Sequence, residues 1–283
     1  MELESLEPDR VEEVFSRHGA LAVTLSDAGD EPALEPAPGE TPLWRRTSVT
    51  GLFEEHQDLD ALKSDLIATF DIPRLPACRV DALDDRDWER EWLRDFGPMR
   101  FGHRLWVGPH GAQIDAPDAV VVRLDPGLAF GTGTHPTTAL CLEWLDSAEL
   151  ENASMLDFGC GSGILAIAAL LLGAASATAV DIDAQAIVAA RRNAIANGVA
   201  ARLTLGSDAP AHRYDVVVAN ILAQPLVDLA PVLTARLHPG GAIALSGILE
   251  HQADAVVRAY RDRIAFGEPL LRDGWALLTG ETH

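Results

Sequence analysis

The stretch Asp157-Phe158-Gly159-Cys160-Gly161-Ser162-Gly163 decides the fold of this 283-residue chain. Met155-Leu156 before it are typical of the end of a strand, and the apolar run from Ile164 to Leu172 predicts a buried helix. Because glycines let the backbone approach a ligand closely, a strand, a three-glycine turn and a helix indicate a nucleotide-binding turn. The following strand ends in Val180-Asp181-Ile182-Asp183, and an acid at that place can hold ribose hydroxyls.

Strands and helices alternate from residue 105 to the C-terminus, which predicts a parallel sheet covered on both faces. Asp273-Gly274 is typical of a hairpin turn, so we expect the sheet to close with an antiparallel strand. The remaining strands are predicted at 105–108, 119–124, 177–180, 202–205, 214–219 and 241–246. The helices are predicted at 137–145, 164–172, 184–197, 225–237 and 251–263. Asp183 is expected to cap the helix that follows it.

The first eighty or so residues predict a separate small domain without a glycine-rich turn. The predicted elements are a short leading strand within 2–6, helices at 8–18 and 59–70, and strands at 20–25, 48–53 and 78–83. The order β-α-β-β-α-β is typical of a ferredoxin-like domain. Trp88, Trp92 and Phe96 then recur at helical spacing, as in a connecting helix or in core packing. We therefore predict domains at 1–83 and 98–283, joined by a helical linker at 84–97.

The net charge, the apolar runs and the cysteines of the chain indicate what kind of partner it has and in which compartment it acts. The net charge of −21 argues against sequence-independent nucleic-acid binding and favours a basic partner, although an acidic or salt-adapted proteome explains it equally well. We find no secretion signal and no apolar run long enough to cross a membrane. The cysteines Cys78, Cys141 and Cys160 form neither a disulfide framework nor a zinc pattern, so no metal site is predicted. We expect a cytoplasmic protein, and a monomer.

The spacing of the glycine turn favours S-adenosylmethionine as the ligand. Dinucleotide sites usually read G-x-G-x-x-G, whereas this turn reads G-x-G-x-G with Asp157 ahead of it. That carboxylate would repel a pyrophosphate but suits an ammonium or sulfonium group. Asp181 lies 22 residues after Gly159, close to the roughly 20 expected for a ribose-binding acid. We predict that Asp157, Gly159, Gly161, Gly163 and Asp181 bind the cofactor, with a nicotinamide or flavin as the alternative.

The acceptor side is predicted at Asn220, which ends the apolar strand from Tyr214 at the carboxyl edge of the sheet. Its amide can accept hydrogen bonds from an amine and orient the lone pair; the alternative is a helix cap before Pro225. Aminomethyltransferases often show Asn-Pro-Pro-Tyr here, whereas this chain reads Asn-Ile-Leu-Ala. Without the aromatic residue, a flexible aliphatic amine fits better than a nucleobase. Methyl transfer to an amine requires no strong catalytic base.

The loop from Phe130 to Thr138 is rich in Gly and Thr and leads into a helix. Thr137 and Thr138 can offer hydroxyls and backbone N–H groups to a ligand. His135 is either a proton acceptor or, as we favour, a structural residue. Cys160 is interpreted as a small filler of the turn rather than a reactive thiol.

These residues together resemble one family, the bacterial ribosomal protein L11 methyltransferases (PrmA). The resemblance extends over nearly the whole chain, and the loop Phe-Gly-Thr-Gly-Thr-His-Pro-Thr-Thr is its most distinctive motif. The matching segments are 87–92, 98–102, 130–138, 157–163, 180–183, 217–222 and 245–249.

The resemblance implies a class I, Rossmann-like methyltransferase domain with a seven-stranded sheet and an antiparallel terminal hairpin, joined to a substrate-recognition domain. It implies S-adenosylmethionine as cofactor, with Thr138, Gly159, Asp181 and Asn220 among its binding residues. Asn220 is also the expected catalytic residue. The implied reaction is trimethylation of lysine side chains and the N-terminal amine of ribosomal protein L11, a basic partner.

Three other functions stay open from sequence alone. The chain could methylate another protein lysine or a small amine. It could bind the cofactor without turnover while docking on ribosomal components. A nicotinamide oxidoreductase is the most distant alternative.

Overall fold

The structure is a computed structural model that describes residues 1–3, 6–29, 44–82, 97–124 and 134–283. The chain divides into two compact units, Met1–Arg86 and Asp87–His283. The linker predicted at 84–97, with its three aromatic residues, lies outside the described residues except for Gly97. None of the helices in the described ranges is long and apolar enough to cross a membrane.

The first unit packs two helices against a small antiparallel sheet. Its elements are α1 (Pro8–Arg17), β1 (Ala22–Asp27), β2 (Thr47–Leu52) and α2 (Leu59–Phe70). The N-terminus adds a short edge to β2: the Leu3 N–H donates to the Thr47 carbonyl and the Val49 N–H to the Met1 carbonyl, each at 2.8 Å. The predicted leading strand is thus present as a single bridge in the described residues. The core of this unit consists of Leu3, Leu6, Val11, Val14, Phe15, Val49, Leu62 and Leu66.

The strand predicted at 78–83 is wrong over its described part. Residues 78–82 form no strand, and all of them are exposed, including Val80. An alternating apolar pattern becomes a strand only where one face has a core to bury against, and none of the described residues covers this segment. The predicted β-α-β-β-α-β order is therefore met only up to α2.

The second unit is a mixed α/β domain. Its strands are β3 (Met99–Phe101), β4 (Leu105–Gly108), β5 (Val120–Arg123), β6 (Ser154–Phe158), β7 (Ser176–Val180), β8 (Leu203–Gly206), β9 (Tyr214–Asn220), β10 (Leu237–Leu249), β11 (Ile264–Phe266), β12 (Leu270–Arg272) and β13 (Trp275–Thr282). Its helices are α3 (Pro136–Ser147), α4 (Ile164–Leu172), α5 (Ala184–Ala196), α6 (Ala223–Asp228), α7 (Ala230–Ala235) and α8 (Ala253–Tyr260).

The large sheet has the predicted arrangement. Its order is β11-β13-β10-β9-β6-β7-β8, with β12 as an added arm on β13, and β3-β4-β5 form a separate small sheet. The strands from β10 to β8 are parallel, whereas β13 is antiparallel to β10, β11 and β12. Asp273 and Gly274 close the β12–β13 hairpin with φ angles of 50° and 79°, which are typical of a type I′ turn.

Successive side chains along the central strands alternate between two hydrophobic cores, one on each face of the sheet. Met155, Val216 and Val218 face one core, shared with α3, α4 and α5, while Leu156 and Val217 face the other, shared with α6, α7 and α8. Successive strand residues point to opposite faces, so strands covered on both sides are apolar throughout. Helix α4 has no polar residue and is buried on nearly every side.

Two predicted helices are shorter than expected. The helix predicted at 225–237 is two helices, α6 and α7, that meet at Leu229. Pro231 lacks the N–H that would continue α6, which explains the break. The helix predicted at 251–263 ends earlier, at Tyr260, and a 3-10 turn, Glu250–Gln252, precedes it.

Candidate active site

The candidate site lies where β6, β7 and β9 end. From β6 the chain passes to β7 on one side, whereas β9 pairs with β6 on the other side. This reversal of strand order opens a crevice at the carboxyl ends of the strands, which is where open α/β sheets bind ligands. The predicted residues Asp157, Asp181 and Asn220 all lie at or next to these strand ends.

The glycine turn is held by backbone hydrogen bonds. The Gly159 and Cys160 N–H groups donate to the Val180 carbonyl at 2.8 and 3.0 Å, and the Gly163 N–H donates to the Cys160 carbonyl at 2.8 Å. Gly159, Gly161 and Gly163 have φ angles of 75°, 52° and 77°, which side chains rarely adopt. The turn leads into α4, whose N-terminus carries a partial positive charge next to the turn.

Two of the glycines leave no room for a side chain. A Cβ on Gly159 would overlap Ile221 Cγ2, and one on Gly163 would lie 2.9 Å from the Ala190 Cβ. The glycines therefore serve close packing around the turn as well as its backbone conformation.

Asp157 is buried beneath the turn. Its Oδ2 accepts the Ala166 N–H at 3.1 Å, and its Oδ1 is a buried atom that has no hydrogen-bond partner among the described residues. Burial, with a smaller contribution from the negative charge of Asp181, raises the pKa of Asp157 to about 7. A buried carboxylate oxygen without a donor fits a ligand that carries an ammonium group.

Asp181 links the glycine turn to the end of β7. Its Oδ2 accepts the Gly161 N–H at 2.8 Å, and its Oδ1 accepts the Asp183 N–H at 2.9 Å. Each oxygen keeps a second lone pair, and the side chain is only half-buried, so it can also accept from ribose hydroxyls. Asp183 caps α5 as predicted, since its Oδ1 accepts the Gln185 N–H at 2.8 Å.

Sequence reasoning missed two residues beside this turn. Asn193 on α5 donates from its Nδ2 to the Ser162 carbonyl at 2.8 Å and so fixes the middle of the turn. Ile182 is 96% exposed, an apolar side chain at the crevice between two acids. The sequence showed Ile182 between the two acids of the motif. It gave no indication that Asn193 would bond to the Ser162 carbonyl.

Asn220 and Thr138 meet on the other side of the crevice. The Asn220 Nδ2 donates to the Thr138 Oγ1 at 3.3 Å, although the residues are 82 apart in sequence. This bond orients the amide, and the carbonyl oxygen of Asn220, which has no partner among the residues that the structure describes, can accept from an amine. The alternative role as a helix cap is wrong, because the N-cap residue of α6 is Leu222 and not Asn220.

His135 caps α3 rather than acting as a free base. Its Nδ1 accepts the Thr137 N–H at 3.3 Å and lies 2.7 Å from the Thr137 Oγ1. Burial lowers the pKa of His135, which favours the neutral ring, and a neutral ring that accepts at Nδ1 carries its proton on Nε2. It therefore has no lone pair to offer a substrate, in agreement with the structural role that we favoured.

Cys160 is a buried filler, as interpreted from the sequence. Burial is the main cause that raises the pKa of its thiol, with the charges of Asp157 and Asp181 adding to the shift. A thiol kept protonated is a poor nucleophile.

This chain is similar over its whole length to proteins of one family. Residues 1–283 match the family described as ribosomal protein L11 methyltransferase (PrmA). The chain belongs to this family. A ribosomal protein L11 methyltransferase of Methylococcus capsulatus is 56% identical over 265 residues, which cover 93% of this chain and 90% of that protein. A ribosomal protein L11 methyltransferase of Photorhabdus laumondii is 51% identical over 271 residues, which cover 95% of this chain and 92% of that protein.

A solved structure agrees with this assignment. The crystal structure of ribosomal protein L11 methylase from Lactobacillus delbrueckii subsp. bulgaricus has a TM-score of 0.62 and 33% identity, and the match covers 66% of this chain and 100% of that chain. The predicted PrmA resemblance and class I α/β fold are thereby confirmed. The chain is an S-adenosylmethionine-dependent protein methyltransferase.

Proposed function

We propose that this enzyme transfers methyl groups from S-adenosylmethionine to lysine side chains and the N-terminal amine of ribosomal protein L11, up to three on each amine. The observation that carries the proposal is the position of Asn220. It ends β9 beside the glycine turn with its amide nitrogen bonded to Thr138. Its carbonyl oxygen, which has no hydrogen bond within the described part of the chain, can accept from an amine.

The cofactor side of the site matches the charges of S-adenosylmethionine. When bound, this cofactor supplies an electrophilic methyl group on a sulfonium centre. We assign Asp181 to the ribose hydroxyls. We assign to the ammonium group the Oδ1 of Asp157, which has no partner within the described ranges. The positive φ angles of Gly159, Gly161 and Gly163 shape the turn that would receive the ligand. Thr138 lies beside Asn220, to which it is hydrogen-bonded.

The acceptor side needs to orient a neutral amine. A hydrogen bond from the amine to the Asn220 carbonyl oxygen would direct its lone pair into the crevice. Such orientation in a water-poor site supplies much of the rate gain in a displacement of this kind. Protonated lysine must first lose a proton, and desolvation favours the neutral form. No base at the site is required.

The remaining features of the protein fit a basic substrate. The net charge of −21 would attract a basic ribosomal protein and increase its association rate. We assign substrate recognition to the domain predicted at 1–83, and expect a monomer that acts in the cytoplasm.

Intact-mass spectrometry of purified L11 after reaction tests the proposal. Addition of 14 Da steps up to three methyls per amine is expected with the wild-type enzyme, and loss of nearly all addition with Asn220→Ala. Calorimetry should show that this variant still binds the cofactor, because the glycine turn is intact. Unmodified L11 in the presence of active cofactor binding would refute the proposed substrate, and a methylation assay on whole lysate would then reveal another amine.

A further inference from the structure

Ile221 directly follows Asn220, and its backbone is fixed by β10. The Ile221 N–H donates to the Ser246 carbonyl at 3.1 Å. Gly247 has a φ of 81°, and a Cβ there would overlap the Ile221 carbonyl and lie 2.9 Å from its nitrogen. The pairing of β10 with β13 is irregular between Leu245 and Ile248, which lets Gly247 approach so closely.

The side chain of Ile221 packs on the glycine turn. Its Cγ2 occupies the space that a Cβ on Gly159 would need, while its Cβ lies 3.8 Å from that position. Ile221 is therefore held between Gly159 of the cofactor turn and Gly247 of β10, and it is half-buried against the α6–α8 core.

We propose that Ile221 is a positioning residue that sets the distance between the glycine turn and Asn220. The proposal rests on the proposed role of Asn220. The side chain of Asn220 has one hydrogen bond in the described residues, at 3.3 Å to Thr138, so its place depends on its neighbour. The Cγ2 methyl of Ile221 makes the contact with Gly159. Only a side chain branched at Cβ places a methyl against Gly159 with a fixed χ1 angle.

Two substitutions separate this role from simple packing. Ile221→Val keeps the branch at Cβ and loses one terminal methyl, whereas Ile221→Leu keeps the volume and loses the branch. Packing alone would favour Leu, because it conserves volume. The positioning role predicts instead that Ile221→Val is the more active variant. We expect kcat on L11 to fall less than twofold in Ile221→Val and about tenfold or more in Ile221→Leu, since small misplacements lower rates strongly.

Cofactor affinity and thermal unfolding are measured on the same samples. The affinity should change less than kcat, and both variants should remain folded. Equal activity of the two variants, or lower activity in Ile221→Val, would overturn the positioning role while leaving the proposed function intact.

Crystal structures of both variants keep the two proposals separate. The Asn220–Thr138 hydrogen bond should persist in Ile221→Val and break in Ile221→Leu. If the wild type does not methylate L11, the proposed function fails. The distance between Asn220 Nδ2 and Thr138 Oγ1 in the variant structures then decides by itself whether Ile221 has a positioning role. If the distance between Asn220 Nδ2 and Thr138 Oγ1 is unchanged in Ile221→Leu, the positioning role of Ile221 is rejected.

Discussion

The two sides of the active site are built by different means. On the cofactor side, the backbone N–H groups of Gly159, Cys160 and Gly161 each donate to a fixed acceptor, and two glycines exclude any side chain. On the acceptor side, the Asn220 side chain has one hydrogen bond to the residues that the structure describes, a longer one to Thr138. The cofactor side is therefore fixed by backbone geometry, while side-chain chemistry sets the acceptor side and can change without disturbing the fold.

Substitution of Gly159 should have the largest effect, because it affects both sides. Gly159→Ala combines a positive φ, which costs about 1–2 kcal/mol, with an overlap on Ile221 that costs about 1–3 kcal/mol. We expect a loss of about 3 kcal/mol in the free energy of unfolding, measured in urea, together with much weaker cofactor binding.

Gly198→Ala is the matched control for this change. Gly198 also has a positive φ, of 70°, but a Cβ there meets no other described residue within 4 Å apart from its chain neighbours. It should lose only about 1–2 kcal/mol from the backbone strain and bind the cofactor normally. Equal losses in the two variants would mean that the contact with Ile221 is unimportant.

Asp181→Ala should affect the cofactor side alone. It removes the carboxylate that we assign to the ribose hydroxyls, a charged hydrogen bond worth about 2 kcal/mol, and hence roughly 30-fold in cofactor affinity by calorimetry. The lost acceptor for the Gly161 and Asp183 N–H groups lowers the free energy of unfolding instead. Asp183→Ala is the control, since it removes only the α5 cap, worth about 1 kcal/mol. Unchanged affinity in Asp181→Ala would remove its assignment to the ribose.

Asp157 should make the cofactor side sensitive to pH. Its pKa is raised from 3.8 to about 7 in the folded chain, so the protonated form is favoured by folding. The stability from this group is complete below pH 3.8 and is lost as pH rises through 7, by at most about 1.4 kcal/mol per unit of pKa shift. Asp157→Asn should lack this decline when urea unfolding is compared at pH 5 and pH 8.

Cofactor affinity should depend on pH in the opposite direction. An ammonium group prefers the Asp157 carboxylate, whose ionised fraction falls from about one half at pH 7 to about one eleventh at pH 6 when the pKa is about 7. Cofactor affinity should therefore fall roughly fivefold as pH decreases from 7 to 6. Titration calorimetry in buffers of different ionisation enthalpy should detect proton release on binding. A pH profile identical to that of Asp157→Asn would contradict the assigned contact.

Thr138→Val should have the smallest effect, on the acceptor side. It removes the hydroxyl that accepts from the Asn220 Nδ2, so kcat on L11 should fall about fivefold, equal to about 1 kcal/mol, with a smaller change in cofactor affinity. Thr137→Val removes instead the hydroxyl beside His135 and should leave kcat nearly unchanged. A larger change in affinity than in kcat would place Thr138 mainly on the cofactor side.

The sequence predicted most strands and helices of the second unit because their apolar patterns match the faces that they bury. It failed where a local pattern depends on distant partners. Residues 78–82 alternate like a strand but have no core among the described residues, and Pro231 breaks an otherwise continuous helical pattern. The paired edge at Glu2 and Ser48 was predicted only as a thin leading strand.

By itself, the sequence determined the fold class, the glycine turn and the chemical character of the ligand, because these depend on short-range spacing: three glycines, an acid before them and an acid 22 residues after Gly159. Only the tertiary structure brought Asn220 to Thr138, Asn193 to Ser162, and Ile221 between two glycines. Such contacts join separate strands and helices, so no local pattern encodes them; they arise when parallel strands align their carboxyl ends.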